Sequence, residues 1–296
     1  MKEFVVYIDG KWLPRSQAKV SVFDHGLLYG DGVFEGIRAY GEHVFRLDQH
    51  LERLDRSARK ISLKIPLSLT KLASIVNQAI RKNELSDSYI RLLITRGAGN
   101  LGLDPRACPK PGVIVIADKL ALFPAECYEK GLHAIIAKTR RTPAEALDPS
   151  IKSMNYLNNI LAKIEAVRAG VPEAIMLNGA GDVSECTGDN VFLVQGRTII
   201  TPPVKAGVLV GITRAAVMEI IRERTAYRVV EKLFKPAAMF RSDEMFFTGT
   251  AAEVIPVTRI DRRKIGDGKP GPATLELMDH FRRVIREEAH VGRRGT

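Results

Sequence analysis

Along this chain the apolar positions change period several times, and each change marks an element. FVVYIDGKW reads as a strand entering a turn at Asp9-Gly10, and VFEGIRAY, from Val33 to Tyr40, as a second strand closed by a turn at Gly41. From Leu47 to Ile61 the period lengthens. Leu47, Leu51, Leu54, Ala58 and Ile61 recur at helical spacing, with Asp48 near the N-terminus, where a carboxylate favours the unpaired amides. A second amphipathic helix is predicted over about Thr70 to Lys82, followed by strands in YIRLLIT and GVIVIAD.

The periodicity lapses around Phe123-Pro124. Residues 119–130, Lys119 to Lys130, are therefore the expected linker between a smaller N-terminal α/β domain, 1–118, and a larger C-terminal domain, 131–296. The second half starts over with a strand in HAIIAK, a helix from Tyr156 to Ala169, and a hairpin in EAIMLNGAGDVSE turning at Gly179 to Gly181. NVFLVQGRTIIT adds strand and Ile212 to Arg224 a helix. EMFFTGTAAEVIPV is strand around a Gly-Thr turn, and Pro272 to Glu288 closes the chain as a helix ahead of a loose basic tail. Strands and helices do not alternate regularly, which favours a two-lobed α+β architecture over a doubly wound parallel sheet.

Composition narrows the class. A chain of 296 residues with 45% apolar side chains can bury a substantial core. No run approaches the roughly 20 apolar residues of a membrane span, and the N-terminus lacks the pattern of a secretory signal. Cys108, Cys127 and Cys186 form no CxxC, so a cytoplasmic protein without a disulfide framework is expected. The formal charge of +11 raises the question of an acidic partner. Its sources are scattered short clusters: Arg140-Arg141, Arg262-Arg263-Lys264, Arg282-Arg283 and Arg293-Arg294. A solvated surface accounts for them. Nucleic-acid binding is the alternative from a different class, but no helix-turn-helix, zinc-finger spacing or aromatic-plus-basic RNA signature accompanies the charge.

Five segments could carry chemistry. YGDGVFEG, with glycines at 30, 32 and 36, looks like a dinucleotide loop, yet no helix follows it, so a tight backbone beside a ligand or turn is the plainer reading. In SIKSMNYLNN, Lys152 and Tyr156 stand four apart, and both point to one side if the first turn is helical. Flanked by Ile151 and Met154, Lys152 is either a solvated charge or a sheltered amine able to condense with a carbonyl. In DVSECTGDNVF, Glu185 is expected to be partly buried and to need a partner. That partner is either a salt-bridging cation or the protonated ring nitrogen of an aromatic cofactor. Gly211-Ile212-Thr213, at the mouth of a helix, and the turn Gly249-Thr250-Ala251 offer amides that serve as ordinary caps or hold phosphate. The histidines at 25, 43, 50, 133, 280 and 290 lack metal-ligand spacing, and no GxSxG elbow exists.

Read in order, FDHGLLYGDGVFEGIRAY, HLERL, YIR, IKSMNYLNN, VSECTGDNVF, GITR and FFTGTAAEVIPV resemble the successive motifs of the fold type IV aminotransferases. They are most similar to those of the branched-chain amino acid aminotransferases, across about residues 3 to 285. The resemblance implies a two-lobed, D-amino acid aminotransferase-like fold carrying pyridoxal 5'-phosphate. Lys152 matches the Schiff-base lysine, Tyr156 the residue that hydrogen-bonds the cofactor's phenolic oxygen, and Glu185 the partner of the pyridine nitrogen. Arg53, Ile212, Thr213 and Thr250 match the phosphate positions. Tyr29, Phe34, Arg38, Tyr89 and Arg91, with the Thr250-Ala251 backbone, match the surroundings of the substrate.

The same resemblance implies small-molecule partners, amino acids and 2-keto acids. It also implies a homodimer in which Tyr29 and the loop near residue 100 complete a shared site, with assembly to a hexamer left open. YIR favours L-branched-chain substrates with 2-oxoglutarate, Arg91 meeting the distal carboxylate of the latter. A D-amino acid aminotransferase and a 4-amino-4-deoxychorismate lyase are the alternatives on this fold. Ser153-Met154 and Cys186-Thr187-Gly188-Asp189 depart from the pattern of well-known bacterial members, which bears on breadth of substrate more than on the cofactor.

Overall fold

The computed structural model describes residues 3–119 and 123–294, with side chains to residue 290. The chain divides into two compact units. The first is built from the described residues of 1–121, 151–156 and 287–296, the second from those of 122–150 and 157–286.

The first unit comprises β1 (Val5–Ile8), β2 (Lys11–Pro14), α1 (His25–Tyr29), β3 (Gly32–Tyr40), β4 (His43–Val44), α2 (Leu47–Lys60), α3 (Leu69–Lys82), β5 (Ser88–Thr95) and β6 (Gly112–Lys119). Its six strands form one antiparallel sheet in the order β2-β1-β6-β5-β3-β4. Alternation decides which side chains enter the core. Val33, Ile37, Ile90, Leu92, Val113 and Val115 face α2 and α3 and meet Leu51, Leu54, Leu72 and Ile75. Ser68 caps α3 by accepting a hydrogen bond from the Lys71 amide at 3.2 Å, which starts this helix at Leu69, one residue earlier than expected. Helix α1 was not foreseen; Asp24 caps it and Gly30, at φ 70°, ends it.

Residues 151–156 join this unit by adding to the edge of β3. The Phe34 amide donates to the Lys152 carbonyl at 3.0 Å, the Met154 amide donates to the Gly32 carbonyl at 2.8 Å, and Val33 bridges Ser153. The Lys152 amide donates to Ser57 Oγ of α2 at 3.2 Å. The backbone here is thus engaged with the sheet, and the helical first turn expected at Lys152 does not form.

The second unit comprises α4 (Ala125–Lys130), β7 (Leu132–Ile136), α5 (Leu157–Arg168), β8 (Glu173–Leu177), β9 (Val183–Cys186), β10 (Asn190–Gln195), β11 (Thr198–Thr201), α6 (Ile212–Arg224), β12 (Arg228–Glu231), α7 (Pro236–Met239), β13 (Glu244–Gly249), β14 (Glu253–Ile260), β15 (Arg263–Lys264) and, as far as Arg286, α8 (Pro272–Arg294). Nine strands form one mixed sheet, ordered β12-β11-β10-β13-β14-β7-β8-β9, with β15 paired to β14. The expected hairpin is β8 and β9, closed where the Asn178 amide donates to the Asp182 carbonyl and Gly181 takes φ 79°. Strands β12 and β15 were not foreseen, and three helical segments also differ from expectation. Within the stretch expected to be a linker, Ala125–Lys130 form α4, while Leu120, Ala121 and Leu122 lie outside the described residues. A short helix, α7, follows Lys235. The closing helix continues past Glu288 to Arg294, taking in most of the expected loose tail, since no proline interrupts it.

Among the described residues no helix is long and apolar enough to cross a membrane. Cys108, Cys127 and Cys186 are free thiols.

Glu244 supports the start of α8. Its Oε1 accepts from the Ala273 amide at 3.0 Å, and its Oε2 accepts from the Thr274 amide at 2.8 Å and the Thr274 hydroxyl at 2.7 Å. Glu244→Ala leaves these buried donors without their acceptor and is expected to destabilise the protein by about 2 kcal/mol. Urea denaturation checks this: the midpoint should fall with an unchanged slope.

Candidate active site

In the first unit the candidate site is centred on Lys152. Its Nζ donates to the Tyr156 hydroxyl at 3.1 Å and lies 4.6 Å from the centre of the Phe34 ring. Both side chains are half-buried, so the amine is sheltered rather than directed fully into water. Their meeting does not come from a helical turn, because α5 begins only at Leu157. It comes from the extended segment on the edge of β3.

Across β3 and β5 the register places Gly36 opposite Arg91 and Arg38 opposite Tyr89. Phe34, Gly36, Arg38, Tyr89 and Arg91 therefore share the sheet face turned away from α2 and α3. The Arg91 guanidinium lies 4.5 Å from the Phe34 ring centre and 5.4 Å from that of Tyr89, and Phe34 packs edge-on to Tyr156 at 5.0 Å. Gly36 is explained by this layer: an added Cβ would collide with the Tyr89 hydroxyl. Gly32 is likewise pressed beneath Met154, so the glycines of YGDGVFEG serve close side-chain and turn packing. Tyr29 is exposed, and its hydroxyl donates to the Leu101 carbonyl at 2.6 Å.

Arg53 occupies the opposite face. Its Nε and Nη2 each donate to one oxygen of Glu35 at 2.7 Å, and His50 Nδ1 lies 2.8 Å from Glu35 Oε2. Glu35 is completely buried at a core-facing position of β3. Burial alone would raise its carboxyl, but the adjacent Arg53 and the His50 hydrogen bond outweigh that and hold it at about 2. Burial lowers His50 against the pull of Glu35, and the charges of Arg53 and Lys152 add to the lowering. The imidazole is therefore neutral at pH 7 and donates through Nδ1. Sequence reasoning missed both Glu35 and His50. The signal was present: Glu35 is the one charge among Val33, Ile37 and Ala39, and His50 and Arg53 stand three apart on one helix face.

In the second unit Glu185 lies in β9 and is almost fully buried. Arg141 Nη2 forms an ion pair with its Oε1 at 2.7 Å. Its Oε2 accepts from the Leu209 amide at 2.8 Å and from Asn190 Nδ2 at 3.2 Å. Gly211 begins α6 without a side-chain cap, leaving the first-turn amides at Ile212 and Thr213, both buried residues. A Cβ at Gly211 would collide with Asn190 Oδ1, and one at Gly249 with Asp189 Oδ1. Thr250 and Ala251 follow in the turn from β13 to β14 and are half-buried. Among the described residues no group of three His, Cys, Asp or Glu could hold a metal ion.

The family model described as amino-transferase class IV matches residues 32–260. A relative from Methanocaldococcus jannaschii is 47% identical, over 94% of this chain and 96% of its own length. The branched-chain aminotransferase of Thermoproteus uzoniensis, solved with norvaline, is 35% identical with a TM-score of 0.90, covering 97% of this chain and 96% of that one. The T.th. branched-chain amino acid aminotransferase, solved with N-(5'-phosphopyridoxyl)-L-glutamate, is 35% identical with a TM-score of 0.91 and the same coverage.

Glu35 supplies a pH test. Its carboxyl is depressed from 4.5 to about 2 on folding, so its contribution is complete above pH 4.5 and is lost as pH falls towards 2, at roughly 3 kcal/mol. Glu35→Gln is expected to remove that acid-sensitive part of the stability curve. Glu35→Ala, which leaves Arg53 buried without its counter-charge, should cost about 3–5 kcal/mol at pH 7. Denaturant titrations at pH 3, 5 and 7 separate the two effects.

Proposed function

The chain belongs to the class IV aminotransferases, and on that footing we propose that it is a cytoplasmic, pyridoxal 5'-phosphate-dependent enzyme that transfers the amino group of L-leucine, L-isoleucine or L-valine to 2-oxoglutarate. The observation that carries this reading is the Lys152 amine, hydrogen-bonded to Tyr156 at 3.1 Å and held against Phe34. The names of the relatives support the branched-chain substrate. The norvaline and phosphopyridoxyl-glutamate bound to the two solved enzymes support an aliphatic amino acid in one half-reaction and glutamate in the other.

The donor set fits the cofactor when each unit is taken by itself. The first offers a sheltered primary amine beside a phenol, and the second a buried carboxylate fixed by an arginine together with an uncapped helix start at Gly211. When bound, pyridoxal 5'-phosphate supplies a carbonyl that condenses with amines and a ring that accepts the electron pair left by loss of a Cα proton.

Lys152 Nζ is assigned two tasks: it would tether the cofactor, and it would take the proton from the substrate's Cα and deliver it to the cofactor's carbonyl carbon. Tyr156 orients that amine and is assigned the hydrogen bond to the phenolic oxygen. Glu185 would keep the ring nitrogen protonated. Arg53, Ile212, Thr213 and Thr250 are assigned to the phosphate, and the Arg53 fork is already oriented by Glu35. Phe34, Tyr29, Arg38, Tyr89 and the Thr250-Ala251 backbone are assigned to the substrate, with Arg91 pairing the distal carboxylate of 2-oxoglutarate.

The homodimer is part of the proposal. Val22, Phe23, Leu27, Leu101 and Leu103 are exposed around α1 and the loop after β5, where Tyr29 and His25 bind that loop's backbone. Leu157, Ile160, Leu161 and Ile164 form a second exposed apolar row along α5. Apolar surface of this extent marks a protein contact. Light scattering should return a multiple of 32.8 kDa, twofold for a dimer and sixfold for a hexamer, and a monomer would contradict the proposal.

Purified protein is expected to be yellow, to bleach with L-leucine and to recover its colour with 2-oxoglutarate. Activity confined to D-alanine, or pyruvate released without an amino acceptor, would select the D-amino acid or lyase alternative instead. Lys152→Ala should lower turnover by at least about 10³-fold. Rates near those of the unmodified enzyme would refute the assignment.

A further inference from the structure

We infer that Arg141 is a positioning residue that holds Glu185 as a fixed, charged acceptor, so that the proton between Glu185 and the cofactor's ring nitrogen stays on the ring. The inference rests on the reading of Glu185 given above and adds the residue through which that carboxylate is controlled.

The geometry is that of a built device rather than a surface ion pair. Both side chains are less than a tenth exposed, and the Nη2 to Oε1 distance is 2.7 Å. Each remaining edge of the guanidinium is also engaged: Nη1 donates to Asn159 Oδ1 at 2.8 Å and Nε to the Gly207 carbonyl at 3.2 Å. Asn159 cannot turn its amide around without cost, because its Nδ2 donates to the Thr187 carbonyl at 2.9 Å. Two separate segments, α5 and the loop before α6, thus fix the arginine, and the arginine fixes one oxygen of Glu185 in β9. The other oxygen is fixed by the Leu209 amide and Asn190.

The chemistry follows from burial. A carboxylate removed from water must find a compensating charge or take up a proton. The ring nitrogen cannot be that compensation by itself, since its own charge is the quantity to be controlled. Arg141 can, because a guanidinium does not lose its proton in a protein. With Arg141 in place, Glu185 remains an acceptor aimed in one direction, and a ring nitrogen that meets it is held as a donor. Without Arg141 the buried carboxyl gains by taking the proton itself, and the ring loses the positive charge that makes it an electron sink.

The test reads the ring proton directly. The protein is reconstituted with pyridoxal 5'-phosphate labelled with nitrogen-15 in the ring, and the chemical shift and cofactor affinity are measured for Arg141→Met, Arg141→Lys, Glu185→Gln and the unmodified chain. Unmodified protein and Arg141→Lys, which keeps the charge, should show a protonated ring. Arg141→Met should move towards the unprotonated shift and bind the cofactor about tenfold more weakly. An Arg141→Met protein that melts lower but keeps the protonated shift would show a structural role only and overturn the inference. A protonated shift in Glu185→Gln would instead overturn the assignment of Glu185. Where Arg141→Met does not accumulate as folded protein, Asn159→Ala, which loosens the guanidinium, is measured in the same way. An intermediate shift then supports the inference, and an unchanged shift with unchanged affinity rejects it.

Discussion

Two backbone hydrogen bonds hold the proposed Schiff-base amine in place. Phe34 donates to the Lys152 carbonyl, Met154 donates to the Gly32 carbonyl, and a segment more than a hundred residues downstream becomes a short addition to the edge of β3. A strand edge offers unpaired donors and acceptors that must be satisfied somewhere, and here the chain satisfies them with itself. The consequence is positional. Lys152 and Tyr156 are presented from extended backbone whose register is set by β3, so the amine, the phenol and Phe34 are located by one sheet. A flexible side chain supplies only the last few ångströms.

Electrostatics repeats one solution twice. Each unit buries a glutamate that the apolar pattern alone would forbid, Glu35 in one and Glu185 in the other, and each gives it an arginine at 2.7 Å. The energetic reason is the same in both. An unpaired buried charge costs several kcal/mol, and an arginine fork cancels it while leaving the geometry rigid. The second arginine then differs in use. Arg53 is itself a proposed phosphate ligand, so Glu35 and His50 orient a binding group. Arg141 orients an acceptor.

Much of this was legible in the sequence because periodicity reports burial. The amphipathic rows of α2 and α3, the alternation in YIRLLIT and GVIVIAD, and the hairpin signalled by Gly179 to Gly181 are all direct consequences of which side chains reach water. The segment from Lys152 to Tyr156 misled because spacing of four suggests a helical turn, whereas the hydrogen bonds that shape it come from β3. No local pattern encodes a partner so distant along the chain. Arg141 was noticed only as half of a basic pair; its burial depends on Asn159, Gly207 and Glu185, which lie between 18 and 66 residues further along the chain. Glu35 and His50 could have been found, since a lone acid at a core-facing strand position requires a cation, and the helix beside it provides one.

Strand β3 shows why fold and chemistry cannot be varied separately here. Its residues alternate between two environments: Val33, Glu35, Ile37 and Ala39 enter the core against α2, while Phe34, Gly36 and Arg38 face the layer of Tyr89 and Arg91. Shifting the strand by one residue would exchange every member of the two sets. Glu35 would leave Arg53, Phe34 would leave Lys152, and Gly36 would no longer make room for the Tyr89 hydroxyl. The eight residue pairs between β3 and β5, from Gly32 opposite Thr95 to Ala39 opposite Ser88, oppose that slip with apolar burial on one face. The same burial that stabilises the sheet therefore fixes which side chains meet Lys152, and a substitution on either face acts on both.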